Sequence, residues 1–279
     1  MVAVDTWLRY HPPMEAAWTG FLHGAGPAGH AVQVYRDVSE LADSVAKYLA
    51  VGFDLREPAI VIATPEHWSR FGERLAESGW SADRIEQSGL LFCADADTTL
   101  AAIMDGDRPS EKQFGAVVGG LMDRVATRFP NRRIRAVGEM VDLLCERGNQ
   151  RGAAEVEELW NRLARRRSFS LLCGYSVDVF DQDAQVSVLP AICRSHSHVL
   201  PAADPERLER AVDAALEESL GEQAGQVYAS VGEQLRRKQV PPAQLALMWV
   251  SSQMPRSAER ILESAREHYL RDPAAQPTA

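Results

Sequence analysis

The chain has 279 residues, 46% of them hydrophobic and 25% charged, with a formal net charge of −9 and a pI near 5.3. That length suits one large domain or two of ordinary size, with a core that needs no staples. The acidic balance argues against a non-specific polyanion binder, because phosphate contacts need a basic surface. The four cysteines, Cys93, Cys145, Cys173 and Cys193, form no Cys-x-x-Cys pair, and three lie in apolar runs, as suits reduced and buried thiols. No apolar run reaches the eighteen or so residues that span a membrane, and the first residues do not read as a signal peptide. A cytoplasmic protein is expected.

Residues 1–28 read as an N-terminal extension with Trp7, Trp18 and Phe21, closed by a Gly/Pro cluster at residues 24–29. Docking of these aromatics on the chain's own body is the simplest expectation, with a partner as the alternative. A strand is predicted at 31–35, then a helix at 39–53 with Leu41, Val45, Tyr48, Leu49 and Gly52 at helical spacing. Residues 59–63 are a β-branched run, as in a strand buried on both faces. Thr64-Pro65 is a helix start, with a capping hydroxyl and a proline at the first position. A short helix at 81–87, a strand at 90–93 and a helix at 97–104 follow. Ser110 opens a long helix that contains Gly115, Gly119 and Gly120, each costing about 1 kcal/mol relative to Ala; close packing against a sheet would explain them. Strands at 134–137 and 169–175 flank a helix that opens on acidic residues, and residues 183–198 close the domain.

This alternation of strand and helix predicts an α/β fold: a mostly parallel sheet with helices on both faces. Residues 201–205 read as a linker. Beyond it the chain is expected to be all helical, at 205–220, 223–238, 242–253 and 255–270, with a frayed tail at 272–279.

Three motifs, Gly138-Glu-Met-Val-Asp-Leu-Leu144, Glu157-Glu-Leu-Trp-Asn-Arg-Leu163 and Phe169-Ser-Leu-Leu-Cys-Gly-Tyr175, resemble the methanogen/methylotroph sensory (MEDS) domain. His30-Ala-Val-Gln-Val-Tyr35 is similar to its opening strand and Ile192-Cys-Arg-Ser-His-Ser-His-Val199 to its closing segment. The resemblance spans roughly residues 28–202. It implies a sensory module, with a RecA-like fold related also to the circadian-clock ATPases, that perceives small organic molecules.

A RecA-like ATPase needs a Gly-x-x-x-x-Gly-Lys-Ser/Thr loop after its first strand to hold phosphates. Here Arg36-Asp-Val-Ser-Glu-Leu41 stands in that place, without glycine or lysine, and Asp37 would repel a phosphate. Ligands of open α/β sheets sit at the carboxyl ends of the strands. Tyr35, Arg36, Glu139, Asp142 and Tyr175 stand at or just past such ends, Trp160 could wall an apolar cavity with Cys173 and Tyr175, and His196 lies in the closing segment, so Tyr35, Arg36, Glu139, Asp142, Trp160, Tyr175 and His196 are the candidate ligand-binding residues. Each has an ordinary alternative. Glu139 suits a helix first turn and could equally pair with Arg135, and Trp160 lies at core spacing from Val156 and Leu163. Cys193, His196 and His198 have ligand types that suit zinc, but the helix would have to break near Ser197, so no metal or cofactor is expected. No Gly-x-Ser-x-Gly elbow supports serine catalysis.

The last two helices have helix-turn-helix proportions, with Arg256, Arg260 and Arg266. Glu259, Glu263 and Glu267 share that helix and would oppose phosphate. The apolar stripe of Leu245, Met248, Trp249, Ile261 and Leu262 suits a helical bundle better, in one chain or between two. The reading is a non-enzymatic sensory protein for a small apolar molecule, relayed by its helices to a signalling partner or through a homodimer. The rivals are a ligand-responsive DNA-binding regulator and a degenerate RecA-like NTPase.

Overall fold

The computed structural model describes residues 14–23, 29–202, 204–231 and 240–271. Trp7, most of the Gly/Pro cluster, the end of the 223–238 helix and the 272–279 tail lie outside the described residues. The chain forms two compact units, one of residues 19–176 and one of residues 177–279 with the first 18.

The first unit is α/β. Its strands are β1 (His30–Tyr35), β2 (Ala59–Ala63), β3 (Leu91–Asp95), β6 (Ile134–Gly138) and β7 (Phe169–Ser176), and a two-residue hairpin supplies β4 (Met104–Asp105) and β5 (Arg108–Pro109). Within this unit the sheet runs β3-β2-β6-β7-β1, and every neighbouring pair is parallel. Helix α2 (Val38–Asp54) covers one face and helix α9 (Gln150–Ala164) the other. Side-chain alternation assigns the faces. The hydroxyl of Tyr48 on α2 reaches Ser170, at 2.9 Å from its carbonyl oxygen. On the other side Trp160 of α9 packs on Phe169, with ring centroids 5.9 Å apart. Being covered twice, β1, β2, β6 and β7 are almost wholly buried.

Helix starts follow the capping signals. Asp37 caps α2 by accepting from the Ser39 N–H at 2.7 Å. Thr64 accepts from the His67 N–H at 3.3 Å, ahead of α3 (Pro65–Glu77). The expected strand at 90–93 is the outer strand β3, half-exposed, and Cys93 is exposed rather than buried. The long helix carries a π-helical turn at Gly115–Gly119, between Glu111–Phe114 and Gly120–Arg128. A side chain at Gly115 or Gly119 would meet nothing within 4 Å, so close packing does not explain these glycines.

The N-terminal aromatics are partly accounted for. Phe21, on α1 (Met14–His23), is buried and stacks on Tyr48 with ring centroids 5.3 Å apart. Arg135 is itself buried. It pairs with Glu57 at 2.6 Å and donates to the carbonyls of Tyr48 at 2.8 Å and Leu22 at 2.5 Å. Its partner is thus neither Glu139 nor Asp142, because its side chain leaves β6 at the opposite, amino end.

The second unit contains helices at Gln182–Val186, Val188–Ser195, Pro205–Leu220, Ala224–Ser230, Pro242–Gln253 and Pro255–Arg271, and a short strand at His198–Leu200. Leu245, Met248, Ile261 and Leu262 are buried within the chain. Trp249, the fifth residue of the expected stripe, is half-buried. Arg266 is engaged by Asp178 at 2.9 Å and Glu263 at 3.5 Å. Among the described residues, no helix is long and apolar enough to cross a membrane.

Leu171 and Leu172 point to opposite faces of β7 and are 2% and 0% exposed. Replacing either with Ala should cost roughly 2–5 kcal/mol. Urea unfolding would measure it, and a loss below about 0.5 kcal/mol at both sites would show that the strand is not packed on both faces.

Candidate functional site

The chain moves outward from β2 to β3 over one face of the sheet, then returns to β6 and continues to β7 over the other. Neighbouring β2 and β6 therefore send their following helices to opposite faces. Such a switch point opens a crevice at the strand carboxyl ends, where ligands of open α/β sheets are found. Glu139 stands there. Its N–H donates to the Ile62 carbonyl at 3.1 Å, and its carboxylate accepts from the Thr64 N–H at 2.9 Å and meets His67 Nδ1 at 2.8 Å. It stays at the first turn of helix α8 (Met140–Glu146) without capping it by side chain.

One turn on, Asp142 joins β1 to β7. The Tyr35 hydroxyl donates to its Oδ2 at 2.5 Å and the Ser176 N–H to its Oδ1 at 2.8 Å. Tyr35 and His67 meet edge to face, with ring centroids 6.4 Å apart. Glu139, Asp142 and Tyr35 are all buried. Burial pushes the Asp142 carboxyl up to about 6, against the lowering effect of its bonds from Tyr35 and Ser176. Burial, then the charge of Asp142, raises the Tyr35 hydroxyl. The hydrogen bond to Glu139 raises His67.

A second polar cluster lies inside the unit on the α9 side of the sheet. His30 Nε2 is 3.3 Å from Cys173 Sγ and 3.3 Å from Glu157 Oε2. The Tyr175 hydroxyl donates to Glu157 Oε1 at 2.7 Å, and His30 Nδ1 is 3.0 Å from Asn161 Oδ1. Burial, then the nearby Glu157 charge, raises the Cys173 thiol and the Tyr175 hydroxyl well above their ordinary values.

Of the sequence candidates, then, Tyr35 and Asp142 meet, Glu139 stands beside them, and Tyr175 belongs to the second cluster. Trp160 is core, 1% exposed and wedged between Phe114 and Phe169. Arg36 is exposed and lies 4.0 Å from Glu40. In the other unit, the helix ends at Ser195, His196 turns Nδ1 back to the Ile192 carbonyl at 2.8 Å, and His198 stands on the following strand. Cys193, His196 and His198 do not gather their donor atoms into one group. Sequence reasoning missed His30, His67, Glu157 and Asn161 as site residues. Glu157 carried a signal: it lies on the apolar stripe of α9 with Ala153, Val156 and Trp160, where a carboxylate must find partners.

A cleft of about 560 Å³ opens at the other edge, by the amino ends of β6 and β7. Met122, Ile134 and Phe169 form its apolar floor, and Arg132, Arg133 and Arg167 its rim. Arg167 is held by both carboxylate oxygens of Asp123, at 2.8 and 2.6 Å.

The sequence pattern of the methanogen/methylotroph, DcmR sensory domain (MEDS) matches residues 29–197. The chain belongs to the MEDS family. The match begins at the residue before β1 and takes in both polar clusters, so all of the strand-end residues named above lie within the MEDS segment. No curated protein matches the chain.

The raised Asp142 carboxyl has a sign that can be measured. An unfolded aspartate titrates near 3.9, so between about pH 4 and 6 the folded chain binds the proton more tightly than the unfolded one. This contribution is full below about pH 4 and is lost as pH rises to about 6. The raised His67 contributes below its unfolded value of about 6.5 and is lost above it, in a separate window. Asp142→Asn should remove the decline between about pH 4 and 6 and reduce, without abolishing, the His67 step, because the Glu139 hydrogen bond is the largest cause of that shift and the Asp142 charge a smaller one. Urea midpoints against pH for both proteins give the difference; parallel profiles through that window would mean the carboxyl titrates as a solvated one.

Proposed function

We propose that the protein is a non-enzymatic sensor. Its α/β unit binds a small, largely apolar organic molecule at the strand carboxyl ends. The helical segment relays the bound state to a signalling partner or through a homodimer. Membership of a sensory-domain family supports the coarse reading. The observation that carries the finer one is the linkage of Tyr35 to Asp142 and of His67 to Glu139 at the switch point. These two buried acid pairs tie together the ends of β1, β2, β6 and β7. A ligand that takes over one of those hydrogen bonds favours one arrangement of the strand-end loops, which is what a population shift requires.

Asp37 supports the non-ATPase reading. Its carboxylate occupies the N-terminus of the first sheet-covering helix, where a phosphate loop would direct N–H groups at a nucleotide. The acidic residues that share a helix with Arg256, Arg260 and Arg266 speak against DNA as partner, and Arg266 is already held by carboxylates. The free thiols of Cys93, Cys145 and Cys173 fit a reducing cytoplasm.

The test is a thermal-shift screen of the full chain against short alcohols, amines, halogenated hydrocarbons and MgATP. A small organic compound should raise the melting temperature, and Tyr35→Phe or Asp142→Asn should reduce that rise at least several-fold. MgATP should give neither a shift nor turnover. A response abolished by Arg133→Glu but untouched at Tyr35 and Asp142 would move the site to the amino-edge cleft and overturn this reading.

Light scattering addresses the relay. Under the homodimer arm, the full chain at tens of micromolar runs at twice the chain mass, and removing residues 205–279 returns it to one. A full-length monomer leaves the partner-protein arm alone.

A further inference from the structure

We propose that His30, Glu157 and Cys173 form a binding site for a thiophilic divalent cation, with zinc as the physiological class. This goes beyond the sensory reading and does not depend on it. The three residues come from β1, α9 and β7 and are all buried. Their donor atoms, one nitrogen, one oxygen and one sulfur, lie within 4.8 Å of one another. Nε2 stands 3.3 Å from both the sulfur and the carboxylate oxygen. A tetrahedral ion with bonds of about 2.0–2.3 Å spaces its donors about 3.3–3.5 Å apart; the two distances from Nε2 already match that spacing, and the sulfur and the carboxylate oxygen lie within 4.8 Å of each other.

The outer partners are those that a metal site uses. Asn161 Oδ1 lies 3.0 Å from His30 Nδ1 and so orients the ring, with Nε2 directed toward Cys173 and Glu157. The Tyr175 hydroxyl holds Glu157 Oε1 and so directs Oε2 toward the imidazole. A ring nitrogen, a carboxylate oxygen and a sulfur thus converge in a dry interior, which is a donor set of the kind that transition metals take. Imidazole with thiolate selects zinc, cobalt, nickel or copper over magnesium and calcium. On binding, the Cys173 thiol loses its proton to solvent, and the hydrated ion releases bound waters as it gains a nitrogen–metal, an oxygen–metal and a sulfur–metal bond. No electron is transferred. A tetrahedral ion takes a fourth ligand, which these three donors do not specify.

The experiment uses the full chain, stripped with chelator and titrated with cobalt(II) as the spectroscopic stand-in for zinc. One equivalent should bind, with a sulfur-to-cobalt charge-transfer band in the near ultraviolet and the visible bands of a tetrahedral ion. One equivalent of zinc should then bleach both. Cys173→Ser should abolish the charge-transfer band and weaken binding at least tenfold, whereas Cys93→Ser, which alters an exposed thiol, should leave the spectrum unchanged. His30→Gln and Glu157→Gln each remove one donor at near-constant volume and should also weaken binding at least tenfold; circular dichroism identifies the variants that fold. The proposal is overturned if the folded parent binds no cobalt at micromolar concentration. It is equally overturned if cobalt binds without the charge-transfer band, or if a folded Cys173→Ser keeps that band.

Discussion

A guanidinium buried between sheet and helix is the constraint around which the α/β unit is built. Arg135 is 1% exposed, and a charge in that position must be fully engaged or it is strongly destabilising. It is engaged by Glu57, by the carbonyls of Tyr48 and Leu22 and by the face of the Tyr48 ring, 4.8 Å away. Those partners come from α1, from α2 and from the turn that leads into β2, so one side chain fixes the helix layer to the sheet. Space for it is made at Gly52, where a Cβ would lie 2.4 Å from the Arg135 Cδ. Because three partners pin the guanidinium, it cannot swing aside, and that glycine is required by packing.

With the amino ends of the strands held in this way, a second set of buried polar groups stands at the carboxyl ends. The switch between β2 and β6 brings the end of one strand against the start of the next helix, and Glu139 bridges them through Thr64 and His67. Asp142 does the same for β1 and β7 through Tyr35 and Ser176. Both carboxylates are satisfied, so neither marks an error of packing. Both are held by groups that a small molecule with a hydroxyl or an amine can imitate.

The two faces of the sheet are chemically unlike. The α2 face is dominated by aromatic and ionic fastening, with Phe21, Tyr48 and Arg135 in one column. The α9 face is apolar around Trp160, whose ring lies 3.7 Å from where a side chain at Gly138 would begin. Into that apolar face the chain sets His30, Glu157 and Cys173. A histidine, a carboxylate and a thiol in one dry place make it the most chemically concentrated spot among the described residues.

Much of this was legible in the sequence, because the relevant signals are local. The β-branched run at 59–63, the Thr64-Pro65 start and the helical spacing of Leu41, Val45 and Tyr48 each act within a few residues, and the elements formed there. The motifs of the MEDS domain were legible for the same reason, and they located Glu139, Asp142 and Tyr175. The π-helical turn at Gly115–Gly119 and the hairpin at 104–109 were not, since periodicity alone does not separate them from an ordinary helix and a loop. Partner choice was decided only in three dimensions. His30 meets Asn161 and Cys173 across 131 and 143 residues of chain, and those encounters depend on β7 lying between β6 and β1. Likewise the apolar stripe of Leu245, Met248, Trp249, Ile261 and Leu262 announced that it would be covered, but how far its own chain covers it, fully at four positions and partly at Trp249, was a matter of how the helices pack. Sequence patterns fix which face of an element is buried; the order of the strands and the packing of the helices fix what that face is buried against.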